Sequence, residues 1–167
     1  MFASDKMFTR AAAPVLAFAA VLSAPVSVPA QSAGPFSPFA GSFHGGGAVI
    51  GSDGHKERLT CRVNGTVSDG GESLSQTIVC ASDSYRLDIH GHAVAAQGGG
   101  VSGDWQESTR GVSGALSGRV SDGHFSGSVA GGSFNASVSL RVSGRRLSFD
   151  LRPQGGDVAR VDVSLSR

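Results

Sequence analysis

Long apolar runs and helical periodicity are missing from this chain of 167 residues, its formal net charge is only +1, and cysteine, tryptophan and tyrosine are scarce. Each absence excludes something. The most apolar stretch, residues 11–22, is too short to span a bilayer as a helix. From Phe39 onward no apolar residues recur at helical spacing, which argues against a helical core. No G-x-S-x-G surrounds any serine, so the common elbow for a serine nucleophile is lacking. The run Gly98-Gly99-Gly100 precedes no helix that would make it a phosphate loop. Positive and negative side chains nearly balance, and nothing in that balance asks for nucleic acid or an anionic membrane.

What is there begins with an export signal. Lys6 and Arg10 make a basic start, residues 11–22 an apolar segment, and Val28-Pro29-Ala30 offers small residues at the −3 and −1 positions. A signal peptide over 1–30 with cleavage after Ala30 is expected, leaving a periplasmic or secreted chain. Residues 31–38 (QSAGPFSP) read as a flexible or extended lead-in. A single domain is expected over 39–167.

The two cysteines bound the most informative stretch, Cys61 to Cys80, with Gly70-Gly71 at its centre. Folded there as a hairpin, Cys61 faces Cys80, Val63 faces Ile78 and Val67 faces Leu74, all on one face of a strand pair. The apolar register and the cysteine positions agree, which predicts a cross-strand disulfide in an oxidising compartment. The rest of the chain repeats the pattern. Alternating runs of strand length are separated by turns at 51–55, Ser82-Asp83, 97–100, 108–111, Asp122-Gly123, Gly131-Gly132, Gly144-Arg145 and 153–157. Asp122-Gly123 is the strongest of these, because a type I′ turn needs positive φ at both positions.

About ten strands with short connections predict an all-β fold, an antiparallel up-and-down meander closed into a small barrel, with a β-sandwich as the alternative. The face opposite the apolar one carries Arg58, Thr60, Arg62 and Asn64 on one strand and Ser148, Asp150 and Arg152 on another. Lipid does not tolerate such a surface, so the barrel is expected to be soluble with its apolar side inward. Glycines on the inward face serve either tight curvature or an unfilled cavity.

Several stretches carry a resemblance: FAGSFHGGG, ERLTCRV, IVCASDSYRLDI, SGDWQESTRGVSG and RPQGGDVARVDVSL. Together they resemble an uncharacterised family of small secreted alphaproteobacterial proteins, and that resemblance implies no activity. The start Gly41-Ser42-Phe43 is similar to the G-x-W opening of lipocalin-like and avidin-like β-barrels, with Phe43 in place of Trp. That resemblance implies an apolar ligand in a barrel.

Candidate chemistry is sparse. His90-Gly91-His92 puts two imidazoles on the outward face of a strand, with Asp104 nearby on the next, a conceivable but incomplete metal set of His90, His92 and Asp104. Glu107 shares a face with Trp105 and reads as a rim carboxylate or, at a barrel mouth, a general acid. Trp105 and Tyr85 fall inward, with Gln76 as the amide able to satisfy a buried N–H. As ligand contacts they would line a pocket with Phe43, Phe125 and Phe149. Arg141, Arg145 and Arg146 surround one turn and read as a solvated charge cluster.

These signs favour a non-enzymatic exported binding module, holding a small apolar ligand in the barrel. The alternative is an envelope interaction protein or hydrolase inhibitor acting on a partner through its loops. No catalytic residue, cofactor or nucleic-acid partner is expected, nor a membrane span once the signal peptide is removed.

Overall fold

A computed structural model describes residues 33–167. The expected signal peptide and its cleavage point lie outside the described residues. Ten antiparallel strands follow in chain order: β1 (Gly41–Gly51), β2 (Lys56–Ser68), β3 (Ser73–Ala81), β4 (Arg86–Ala95), β5 (Gly100–Glu107), β6 (Val112–Ser121), β7 (His124–Gly131), β8 (Phe134–Ser143), β9 (Arg146–Pro153) and β10 (Val158–Ser166). Each pairs with its sequence neighbours, and β1 pairs with β10, so the meander closes into a barrel. Closure follows from the sequence pattern. One apolar face repeated over ten strands would leave that face and two hydrogen-bonding edges in water, and curling removes all three.

The cysteine hairpin pairs as expected. Cys61 lies opposite Cys80, Val63 opposite Ile78 and Val67 opposite Leu74. Cys61 and Cys80 are bonded, and no free cysteine remains among the described residues. The β6–β7 and β8–β9 hairpins also match, with Val120 opposite Phe125 and Leu140 opposite Phe149. Asp122 and Gly123 both take positive φ, 49° and 70°, as the tight turn requires.

Two hairpins are displaced by two residues from the register read in the sequence. The β3–β4 connection is a four-residue turn in which Ser82 N–H donates to Tyr85 O, so Cys80 faces Leu87 rather than Tyr85. The β7–β8 turn is Gly132-Ser133 rather than Gly131-Gly132, so Val129 faces Ala136 rather than Phe134. A shift of two keeps every side chain on its face, because the pleat repeats every two residues. Periodicity therefore detects the face and is blind to this slip.

The lead-in departs most from expectation. Gly34 N–H donates to Gly70 O and Phe36 N–H to Gly71 O, each at 2.9 Å, docking the segment on the β2–β3 turn. A 3₁₀ turn over Ser37–Phe39 then carries the chain toward the β6–β7 turn, where Pro38 lies beside Gly123. Phe36 and Phe39 are at most 1% exposed. Two backbones meet so closely at Gly34 and Gly71 that a Cβ on either would fall 2.5 Å from the other, and Gly71 has φ +101°. Residues 34–40 thus cap the end of the barrel that holds the even-numbered turns and both ends of the ring. Arg167 donates to Pro38 O, and its guanidinium lies 4.6 Å from the centre of the Phe43 ring. The opposite end, with the turns β1–β2, β3–β4, β5–β6, β7–β8 and β9–β10, has no such segment among the described residues.

Candidate functional site: a glycine belt, an open mouth and an outer groove

The large inward side chains differ in burial between the two ends, although Val49, Leu59, Ala136 and Val161 on the far side are buried and Val67 and Val142 near the cap are half-buried. Near the cap, Phe43, Val63, Leu74, Val120, Phe125, Leu147 and Leu165 are all buried. Toward the other end, Tyr85, Leu87, Trp105, Phe134, Leu151 and Val158 point inward yet are only half-buried. That end is a mouth with an apolar and aromatic lining. At mid-height, around the disulfide, the interior is filled. The void between Cys61, Ile78, Cys80, Leu147 and Phe149 measures about 10 Å³, at the lower bound for one water.

A row of residues paired side by side runs around the wall on the mouth side of that level. Gln76 of β3 faces Gly91 of β4, which faces Trp105 of β5, which faces Gly114 of β6. The row continues at Gly131, opposite Phe134. A Cβ on Gly114 would lie 1.9 Å from Ala130 O, so β6 and β7 approach there more closely than a side chain permits. With no side chains at the glycines between them, the Trp105 and Phe134 rings meet edge to face at 5.7 Å from strands three apart. The inward glycines here serve curvature and a close aromatic contact together.

The amide expected beside Trp105 does not reach it. Gly91 separates Gln76 from Trp105 by two ladder spacings, roughly 9–10 Å. Trp105 Nε1 and Gln76 Nε2 are both buried without a protein partner. Two donors on the barrel wall therefore await an acceptor.

The sequence candidates separate accordingly. Phe43 and Phe125 belong to the packed, capped half; Phe125 lies within 3 Å of where side chains on Gly118 and Gly127 would be. Phe149 sits over the disulfide at mid-height. Trp105 and Tyr85 lie toward the mouth, Tyr85 beside a rim cleft of about 320 Å³ that it shares with Glu57, His55 and Asp157. Phe134 is the mouth aromatic that sequence reasoning placed beside the wrong neighbour, because the β7–β8 register hid its approach to Trp105.

Glu107 is 5% exposed at the mouth end. Its carboxylate accepts N–H bonds from Asp88 at 3.2 Å, Thr109 at 2.9 Å and Arg110 at 2.7 Å. Burial alone would raise its pKa. The Thr109 side chain and these backbone donors outweigh that and hold the group below its ordinary value. It is a carboxylate that ties the β5–β6 turn, with its oxygens committed to the backbone.

A hollow lies on the outer wall, along the same glycine row. A groove of about 610 Å³ spans β2 to β6. Gln76, Gly91, Trp105 and Gly114 run along it, and the outward side chains of Asn64, Thr66, Ser75, Thr77, His90, His92, Asp104, Gln106 and Ser113 flank them. Thr77 Oγ1 and Ser75 Oγ each lie 3.3 Å from the Nδ1 of His90 and His92, and His90 Nε2 lies 3.2 Å from Asp88. Asp104 stands opposite His92. Among the described residues no three His, Cys, Asp or Glu side chains are grouped to hold a metal ion.

No protein-family model matches the chain, and no curated protein matches it. Solved structures do. The crystal structure of Rv2717c from M. tuberculosis is 16% identical with a TM-score of 0.63, over 78% of this chain and 93% of that one. A redesigned β-barrel, mFAP1, bound to DFHBI, is 9% identical with a TM-score of 0.48, over 81% of this chain and all of that one. The likeness is one of fold. No helix among the described residues is long and apolar enough to cross a membrane.

Proposed function

We propose that the protein is a non-enzymatic, exported binding module that holds a ligand with an apolar body at the mouth of its barrel. The observation that carries this is that the inward aromatics at the mouth, Tyr85, Trp105 and Phe134, are only half-buried. An apolar side chain left half in water forgoes transfer free energy, about 25 cal/mol per Å². A ligand covering Tyr85, Trp105, Phe134 and Leu151 recovers it. The small void at mid-height favours a ligand in the mouth over one enclosed beside the disulfide. The unpartnered donors of Trp105 and Gln76 favour a ligand that also carries a hydrogen-bond acceptor. The disulfide fits a periplasmic or secreted site of action.

Native mass spectrometry of protein purified from the exported fraction tests this. The expected result is a small molecule bound to a chain that begins after Ala30 and is two hydrogens lighter than its reduced form. Trp105 is the only tryptophan, so its emission should also change when a medium-chain fatty acid is added. Phe134→Glu, which puts charge in the mouth, should abolish both signals while the thermal melt stays cooperative. Protein that carries no small molecule and leaves Trp105 unchanged overturns the reading. An envelope protein captured through the rim loops instead would favour the interaction reading.

A further inference from the structure

We infer that the groove on the outer wall is a separate ligand site, built for an uncharged, polyhydroxylated ligand such as a short glycan. The volume, about 610 Å³, falls inside the usual range for small-ligand sites, roughly 300–1,000 Å³. What lines it narrows the chemistry. No Lys or Arg is among the lining residues, so a phosphate, a nucleic acid or another anion would find no counter-charge. Trp105 is the one large apolar side chain among them, and it points inward. A metal ion would need a third ligand that the described residues do not group there.

The remaining groups are hydrogen-bonding tips in both senses. Asn64 Oδ1 already accepts from Ser42 Oγ at 2.7 Å, which leaves the Asn64 amide N–H₂ to donate. Gln106 offers a donor and an acceptor, and Asp104 offers acceptors only. Each histidine ring is held at Nδ1 by a hydroxyl of β3. His90 Nε2 faces Asp88, whereas His92 Nε2 is left for a ligand. Alternating donors and acceptors over several strands match adjacent hydroxyl groups, each of which donates one bond and accepts others.

The groove also has a cause in the backbone. It follows Gly91 and Gly114, where the wall carries no side chain, and at Gly114 the neighbouring strand also comes within 1.9 Å of a Cβ position. It lies on the far side of the sheet from the mouth lining; Gln76 and Trp105 border both, so the groove is told apart from the mouth by its outward residues Asn64, His92 and Gln106.

The test uses the exported, oxidised protein and three neutral trisaccharides: maltotriose, cellotriose and N-acetylchitotriose. Binding is followed by NMR shifts of the His92 imidazole and the Asn64 and Gln106 side-chain amides. At least one sugar should produce saturable shifts at these groups. Gln106→Ala and His92→Ala, both exposed positions, should each weaken binding about ten-fold, as for loss of one or two hydrogen bonds. Thr77→Trp, which fills the groove, should abolish it, and Phe134→Glu should leave it unchanged. An acidic trisaccharide should bind less well, because Asp104 is the one carboxylate flanking the groove. The inference is overturned if no sugar shifts these resonances, if binding survives both alanine variants, or if the acidic sugar binds as tightly as the neutral ones.

Discussion

The two ends of the barrel are built from the same alternating strands and finish differently. At one end, Phe36 and Phe39 from a short crossing segment close over Phe43, and all three are at most 1% exposed. At the other, Tyr85, Trp105 and Phe134 face inward and stay half-buried. The contrast separates two uses of one apolar face. Where the chain itself supplies the cover, aromatic residues become core. Where no described residue covers them, they stay half in water. Function is therefore sought at the mouth and along the glycine row, and stability at the cap.

That division has measurable consequences. Phe39→Ala should cost about 3–5 kcal/mol, the range for a fully buried aromatic, and appear as a lower urea midpoint with an unchanged slope. A loss much below 2 kcal/mol would mean that the cap contributes little and the two ends are energetically alike. Replacing Cys61 and Cys80 together with Ala should cost about 3 kcal/mol by the loop-entropy relation. The bond spans 19 residues between the halves, so the variant should lower the stability of both, which hydrogen exchange can resolve.

Glu107→Gln should cost about 1–3 kcal/mol, because three N–H groups lose a charged acceptor. It also sharpens the comparison through pH. The Glu107 pKa is lower in the folded chain than its ordinary value of 4.5. Its contribution is therefore present above about pH 4.5 and is lost as the pH falls through the folded value. The variant should flatten that acid limb in a pH series of urea midpoints, and an unchanged limb would assign the acid sensitivity elsewhere. Phe134→Ala should have the smallest effect, about 1–2 kcal/mol for a half-buried ring, while removing the response of Trp105 to an apolar probe. If it costs as much as Phe39→Ala, the mouth is core and the proposed site is lost.

Much of the architecture is legible in the sequence. The Cys61–Cys80 pairing followed from an apolar register and two cysteines that agreed, and the Asp122-Gly123 turn from its demand for positive φ. The outward run Asn64, Thr66 on β2 and His90, His92 on β4 was recognisable as polar surface. What remained hidden shares one cause. Turns centred on Ser82-Asp83 and Gly131-Gly132 each admitted a neighbouring register that preserves the same face. Phe134 was therefore placed opposite Val129, and its meeting with Trp105 across Gly114 and Gly131 went unseen. The lead-in was misread because its Gly, Ser and Pro residues look like a linker, and Phe36 could not be credited with a binding partner 35 residues away.

The sequence by itself determined which side of each strand faces inward, how many strands there are and where the disulfide forms, because these depend on period two and on local turn chemistry. Only the tertiary structure decided which end of the barrel is covered, which glycines fall side by side, and that the hollow along them opens on the outer wall. Those features depend on residues brought together across several strands, and a register shift of two leaves no trace in the alternation that specifies the strands themselves.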